Sequence, residues 1–115
     1  MKIAQFFRTL AAAFSLLAAS ASAQASAPVD GAAATALAQR SACMACHAVD
    51  RRLIGPAYQA IAAKHKGMEV AKLAASIRAG GAGKWGPVPM PAQPALTEEN
   101  ARILAAWILA GAPAR

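Results

Sequence analysis

Two cysteines separated by two residues, with a histidine directly after the second, occupy positions Cys43, Cys46 and His47 of this 115-residue chain. This spacing is the one used for covalent attachment of a c-type haem, in which each thiol forms a thioether with the porphyrin. The adjacent imidazole then lies beneath the iron as an axial ligand. The motif therefore predicts one haem c, with its iron, as the cofactor, and a fold arranged around that group.

Closely spaced cysteines have three other common uses: a thioredoxin-like dithiol, half of a zinc site, and a short disulfide. A thioredoxin-like dithiol requires an α/β context, and the sequence contains no convincing strand. A zinc site needs further ligands, and the only other histidine, His65, lies between Lys64 and Lys66. A disulfide that closes so small a loop would restrict the unfolded chain little. The context thus favours haem attachment.

The start of the chain has the pattern of an export signal. Lys2 and Arg8 are followed by an apolar run and by an A-x-A cleavage site. The run is shorter than the roughly 20 apolar residues that a membrane-spanning helix needs. We expect residues 1–23 to be a cleaved signal peptide, residues 24–30 to be a flexible mature N-terminus, and residues 31–115 to form one periplasmic domain without stable membrane insertion.

Helical periodicity and capping residues predict four helices in the mature chain. Asp30 and Thr97 are suitable N-caps, because their side-chain oxygens can accept hydrogen bonds from free backbone N–H groups. Gly80 and Gly111 supply helix ends. The fold class is therefore all-α, with helices expected at 31–42, 57–64, 69–79 and from Thr97 to just before Gly111.

The second informative segment, residues 81–96, contains four prolines and three glycines, so neither a helix nor a central strand can run through it. Within it, Met90 has a proline on each side and lies 43 residues after His47. A lone methionine is more often a core residue, but core residues normally lie on helices or strands. Because Met90 lies instead in an irregular loop between two prolines, we predict that it is the second axial ligand. Methionine ligation raises the reduction potential of haem iron and suits an electron carrier.

Four runs of sequence resemble the small bacterial class I cytochromes c of the cytochrome c-551 type, over essentially the whole mature chain. The resemblance implies about four helices around one haem, with the first and last helices crossing. It assigns thioether links to Cys43 and Cys46 and axial positions to His47 and Met90. The runs are CMACHA at 43–48, GPAY at 55–58, WGPVPMP at 85–91 and AAWIL at 105–109.

The same resemblance implies contacts around the ligands. The Pro56 carbonyl would accept the other ring N–H of His47 and fix the imidazole orientation. Trp85 would donate its indole N–H to a haem propionate. The chain departs from the family at Gln93, where relatives often carry an asparagine, and at Ser76, where a basic partner of the propionates is common.

The charge balance bears on partners. The chain has 12 Lys and Arg against 5 Asp and Glu, a net charge of +7, and loss of Lys2 and Arg8 with the signal peptide would leave +5, which favours acidic partners or anionic lipid headgroups. Nucleic acid is not expected as a partner of an exported protein. We predict that a basic rim near the haem edge steers an acidic redox partner; the alternative is an ordinary solvated surface. The rim residues are Arg51, Arg52, Lys64, Lys66 and Lys84.

Three hypotheses for the function follow. The preferred one is a soluble, monomeric, periplasmic monohaem cytochrome c that carries single electrons between respiratory-chain partners and is not an enzyme. The second is a haem enzyme or gas-binding protein whose sixth iron position opens. The third is the cytochrome subunit of a periplasmic dehydrogenase.

Overall fold

The computed structural model describes residues 28–115, so the expected signal peptide and residues 24–27 lie outside the described part. The four expected helices are present, and the predicted all-α fold is confirmed. A short 3₁₀ helix, Cys43–Ala45, follows the first of them and was not predicted. The helices are α1 (Gly31–Arg40), α2 (Tyr58–Lys64), α3 (Val70–Ala79) and α4 (Glu98–Leu109).

Side chains cap the N-termini of α1 and α4, as predicted. The Ala33 N–H donates to the Asp30 carboxylate at 3.0 Å, and the Asn100 N–H donates to the Thr97 hydroxyl at 3.1 Å. A cap of this kind contributes about 1 kcal/mol to stability. At its other end, α1 finishes at Arg40, two residues earlier than expected.

The core is centred on α4, which packs against each of the other three helices. Its largest buried residue is Trp107, which is fully buried and donates its indole N–H to the Pro113 carbonyl at 2.9 Å. Leu104 and Ile108 are the other large side chains of the buried face of α4, whereas Ile103 beside them is 41% exposed. The alanine-rich helix α1 buries small side chains such as Ala34, so it offers α4 a nearly smooth surface.

Two connecting segments enclose the space that this helical frame leaves on one side. Residues 46–57 join the 3₁₀ helix to α2, and residues 80–97 join α3 to α4. None of the helices within residues 28–115 is both long enough and apolar enough to cross a lipid bilayer.

Candidate functional site

A cavity of about 390 Å³ lies between the helices and the two connecting segments. Apart from the two connecting segments, the lining comes mainly from α2, α3 and α4 and is mostly apolar, for example Ile61, Leu73 and Leu104. Pockets for organic cofactors typically measure about 300–1,000 Å³ and are lined mainly by apolar side chains. The cavity therefore fits a large apolar ring such as haem, and its walls include all six predicted site residues: Cys43, Cys46, His47, Pro56, Trp85 and Met90.

The His47 imidazole is held on two sides. Its Nδ1 atom lies 2.8 Å from the carbonyl oxygen of Pro56, and its ring stacks on the Tyr58 ring with centroids 5.2 Å apart. A carbonyl can only accept a hydrogen bond, so Nδ1 carries the proton and donates it. The lone pair of Nε2 is then left free to bind a metal.

Gly55 lies directly against this imidazole. A Cβ atom at Gly55 would stand 2.6 Å from Cε1 and 2.9 Å from Nδ1 of His47, closer than van der Waals contact allows. The Gly55 N–H also donates to the Cys46 carbonyl at 2.7 Å, which ties the segment to the attachment motif. The absence of a side chain at residue 55 is thus a requirement of the imidazole position.

Replacing Gly55 with alanine is expected to displace the His47 ring and to destabilise the haem-loaded protein by about 1–3 kcal/mol, the usual cost of overpacking. Guanidinium unfolding, followed by haem absorbance, measures the loss. Gly81→Ala is the matched control, because a Cβ atom there meets no atom within 4 Å. Equal unfolding midpoints for the two variants would show that the imidazole position does not depend on Gly55.

Tyr58 connects the imidazole to the core. Its ring contacts the Trp107 ring edge-on, with centroids 5.1 Å apart, while its other neighbour is His47. Burial raises the pKa of the Tyr58 hydroxyl, so this group stays protonated and neutral. Burial also raises the pKa of the Cys43 thiol, chiefly because the thiolate would lose solvation. The stacking of Tyr58 on His47 was not predicted from the sequence.

The backbone of Met90 is fixed by an antiparallel bridge that was not predicted. The Met90 N–H donates to the Gly81 carbonyl at 2.8 Å, and the Gly81 N–H donates to the Met90 carbonyl at 3.0 Å. The preceding Gly80 has a φ of +65°, and a side chain there would collide with the Met90 carbonyl. The two hydrogen bonds hold Met90 in the cavity wall beside the end of α3.

Further hydrogen bonds fasten the segment after Met90 to α3. The Gln93 N–H donates to the Arg78 carbonyl at 2.9 Å, and Nε of Arg78 donates to the Leu96 carbonyl at 3.0 Å. The side-chain amide of Gln93 donates to the Pro91 carbonyl at 3.1 Å. One of the two amide hydrogens of Gln93 is therefore engaged with the backbone.

Basic side chains surround Trp85. Nη2 of Arg52 donates to the Trp85 carbonyl at 2.7 Å, and Nζ of Lys64 lies 4.3 Å from the Trp85 ring centroid. The Lys64 ammonium also donates to the Lys84 carbonyl at 3.0 Å. Nζ of Lys84 lies 3.5 Å from the hydroxyl oxygen of Ser76. These contacts were not predicted, because the sequence indicates only that the residues share a positive charge.

The two other residues of the predicted basic rim, Arg51 and Lys66, have different surroundings. Arg51 pairs with the neighbouring Asp50 at 3.4 Å, and both side chains are largely exposed. Lys66 is exposed in the turn after α2 and does not line the cavity. Of the five rim residues, Arg52 and Lys64 thus contact the segment around Trp85, Lys84 belongs to that segment, and Arg51 and Lys66 lie apart from it.

Comparison with known proteins agrees with the fold and with the haem motif. The family model for cytochrome c matches residues 31–112. The chain is 50% identical over 76 residues to cytochrome c-551 of Stutzerimonas stutzeri, a match covering 64% of this chain and 72% of that protein. Cytochrome c-552 of Hydrogenobacter thermophilus is 47% identical over 75 residues, covering 64% of this chain and 76% of that protein.

A solved structure shows the same likeness in three dimensions. The crystal structure of wild-type Nitrosomonas europaea cytochrome c552 superposes with a TM-score of 0.64 at 38% sequence identity. The match covers 66% of this chain and 96% of that one. The family model spans most of the chain, and the two cysteines lie on the wall of an apolar cavity. The chain therefore belongs to the cytochrome c family and is a monohaem electron carrier that binds haem c through Cys43 and Cys46.

Proposed function

We propose that this protein carries single electrons in the periplasm with its iron held by His47 and Met90. The observation that supports this ligand pair best is that Met90 lines the same cavity as His47 while its backbone is fixed by two hydrogen bonds to Gly81. When bound, the haem supplies the reversible change between ferric and ferrous iron. The thioether of Met90 favours the ferrous form and raises the reduction potential.

We propose that no side chain of this protein acts as a general acid, base or nucleophile. The His47 ring proton is held by the Pro56 carbonyl, and burial keeps the Tyr58 hydroxyl protonated. The hydrogen bond to Pro56 and the stacked ring of Tyr58 therefore serve to keep one imidazole orientation in either oxidation state. Such a rigid site suits electron transfer, since little rearrangement accompanies the change of charge.

Carbon monoxide tests this function against an iron site that opens. We expect the absorption spectrum of the ferrous wild-type protein to stay unchanged when the gas is added, because Met90 keeps the sixth position closed. The reduced protein under argon is the control. A rapid shift of the haem absorption would instead favour the second hypothesis, a gas-binding protein or haem enzyme.

Export and assembly are part of the same proposal. We propose that residues 1–23 are removed on export, so that N-terminal sequencing of the periplasmic protein begins at Gln24. The mature protein would be a monomer, which the mass of the native protein in solution tests. Copurification with a larger dehydrogenase would contradict a free carrier and support the third hypothesis.

The proposed partner has an acidic surface around its own redox centre. The positive net charge of the chain supports an acidic partner surface, and exposed apolar side chains next to the attachment motif and the cavity support docking at this face. Ile54 and Val88 line the cavity and are 57% and 59% exposed, and Leu53 is the neighbour of Ile54. Electron-transfer rates with such a partner should fall as ionic strength rises, whereas rates independent of salt would contradict the docking proposal.

A further inference from the structure

The cavity contains positive charge without a matching negative charge. Apart from the proposed ligand His47, four lining residues within 28–115 are basic or can become so, namely Arg52, His65, Lys72 and Lys84, and none of the lining residues is acidic. Much of the remaining wall is apolar. A haem carries two carboxylates, which are costly to bury against apolar groups unless they are paired or hydrogen-bonded. The carboxylates therefore belong beside these basic groups.

The contacts around Trp85 separate two roles for the cations. Arg52 and Lys64 donate to the carbonyl oxygens of Trp85 and Lys84, so they hold the backbone of this segment in place. The ammonium of Lys84 instead lies 3.5 Å from the hydroxyl oxygen of Ser76. A hydroxyl cannot neutralise a cation, and within the described residues no carboxylate forms an ion pair with Lys84.

We infer that the Lys84 ammonium and the Ser76 hydroxyl beside it bind a haem carboxylate, with Arg52 and Lys64 as positioning residues. The inference rests on the proposed function, because it requires the haem to lie with its carboxylates towards Trp85. Lys84, in the segment before Met90, thus supplies the positive charge for the carboxylate next to a position on α3 that carries only the hydroxyl of Ser76. Lys84 belongs to the cofactor site rather than to the docking rim.

The reduction potential of the haem-loaded protein tests this role. Lys84→Met should lower it, because a cation near the iron disfavours the extra positive charge of the ferric state. We expect at least a threefold change in the equilibrium constant with a reference couple, or about 28 mV at 59 mV per tenfold. Lys84→Arg should keep the wild-type value, and so should Lys66→Met, the matched control outside the cavity.

A second variant distinguishes a lost charge from a disturbed loop. Nζ of Lys84 is within hydrogen-bonding distance of the side chain at residue 76, so a lysine there can bring its ammonium to the same place. The double variant Lys84→Met with Ser76→Lys should therefore recover the wild-type potential. Failure of this rescue, with the potential remaining at the Lys84→Met value, would contradict the assigned role.

The pH dependence of the potential identifies the carboxylate itself. Losing the Lys84 cation raises the pKa of a nearby carboxyl group, so the pH-dependent part of the potential should move to higher pH. The other charged or titratable groups that face this end are Arg52, Lys64, His65 and Lys72. Of these, His65 is the only imidazole, so the comparison is made in a His65→Gln background.

The outcome that overturns the inference is equal potentials and equal pH profiles for Lys84→Met and Lys66→Met. This failure is distinct from a failure of the proposed function. A protein can retain its closed iron site, and give no response to carbon monoxide, while its carboxylates are bound elsewhere. Conversely, a protein that binds carbon monoxide would contradict the proposed ligand pair whatever its potential.

Discussion

Replacing Met90 with alanine is expected to lower the reduction potential and to allow carbon monoxide to bind the ferrous protein. Alanine offers the iron no ligand, and the loss of the thioether removes the preference for the ferrous state. The fall should be on the order of 100 mV or more, since axial ligands set haem potentials over a span of about 0.8 V. Potentiometric titration measures the first effect, and the ferrous absorption spectrum measures the second.

Met68→Ala is the matched control, because Met68 also lines the cavity. It lies in the turn between α2 and α3, where its N–H donates to the His65 carbonyl at 2.9 Å, and it has no bridge like that of Met90. We expect Met68→Ala to keep the wild-type potential and to remain closed to carbon monoxide. If Met68→Ala opened the iron site and Met90→Ala did not, the ligand assignment would be wrong.

Removing both attachment cysteines should cost the protein most of its folding stability. An apolar cavity of about 390 Å³ without its ring would cost about 9 kcal/mol at ~24 cal/mol per Å³, an upper value because the cavity opens to solvent. The whole free energy of unfolding of a small domain is about 5–15 kcal/mol. The double variant Cys43→Ala with Cys46→Ala, isolated without haem, should therefore be largely unfolded at 25 °C.

Circular dichroism at the helical wavelengths, followed through a thermal scan, measures this loss. Ala45→Ser is the control within the same motif, because Ala45 is exposed and both thiols remain. It should take up haem and unfold cooperatively like the wild type. A haem-free cysteine variant with wild-type helix content and a cooperative transition would contradict the view that haem completes the core.

The helices and their caps could be predicted because they depend on neighbouring residues. Asp30 and Thr97 have oxygens that reach the N–H groups three residues later, and both form these hydrogen bonds. The end of α1 was predicted less well. Ala42 has a φ of +60°, a left-handed conformation that is uncommon for alanine, and nothing in its side chain indicates it.

The contacts that complete the site join residues far apart in the chain, and no local pattern encodes them. The bridge between Gly81 and Met90 forms inside a segment whose prolines pointed only to an irregular loop. Lys64 and Arg52 come from other segments than Trp85. Their charge can be read from the sequence, but the contacts of Lys64 with the Trp85 ring and of Arg52 with the Trp85 carbonyl cannot. The motif at residues 43–47, in contrast, contains both attachment cysteines and the histidine within five consecutive residues, so it can be recognised from the sequence.

The most direct test of the His47 and Met90 ligand pair is the sulfur-to-iron charge-transfer band in the absorption spectrum of the ferric protein. The band reports a bond between the iron and a methionine sulfur, so it does not depend on redox partners or on docking. We predict that the wild-type protein and Met68→Ala show the band and that Met90→Ala lacks it. A Met90→Ala protein that retains the wild-type band would contradict the assignment of Met90 as the ligand.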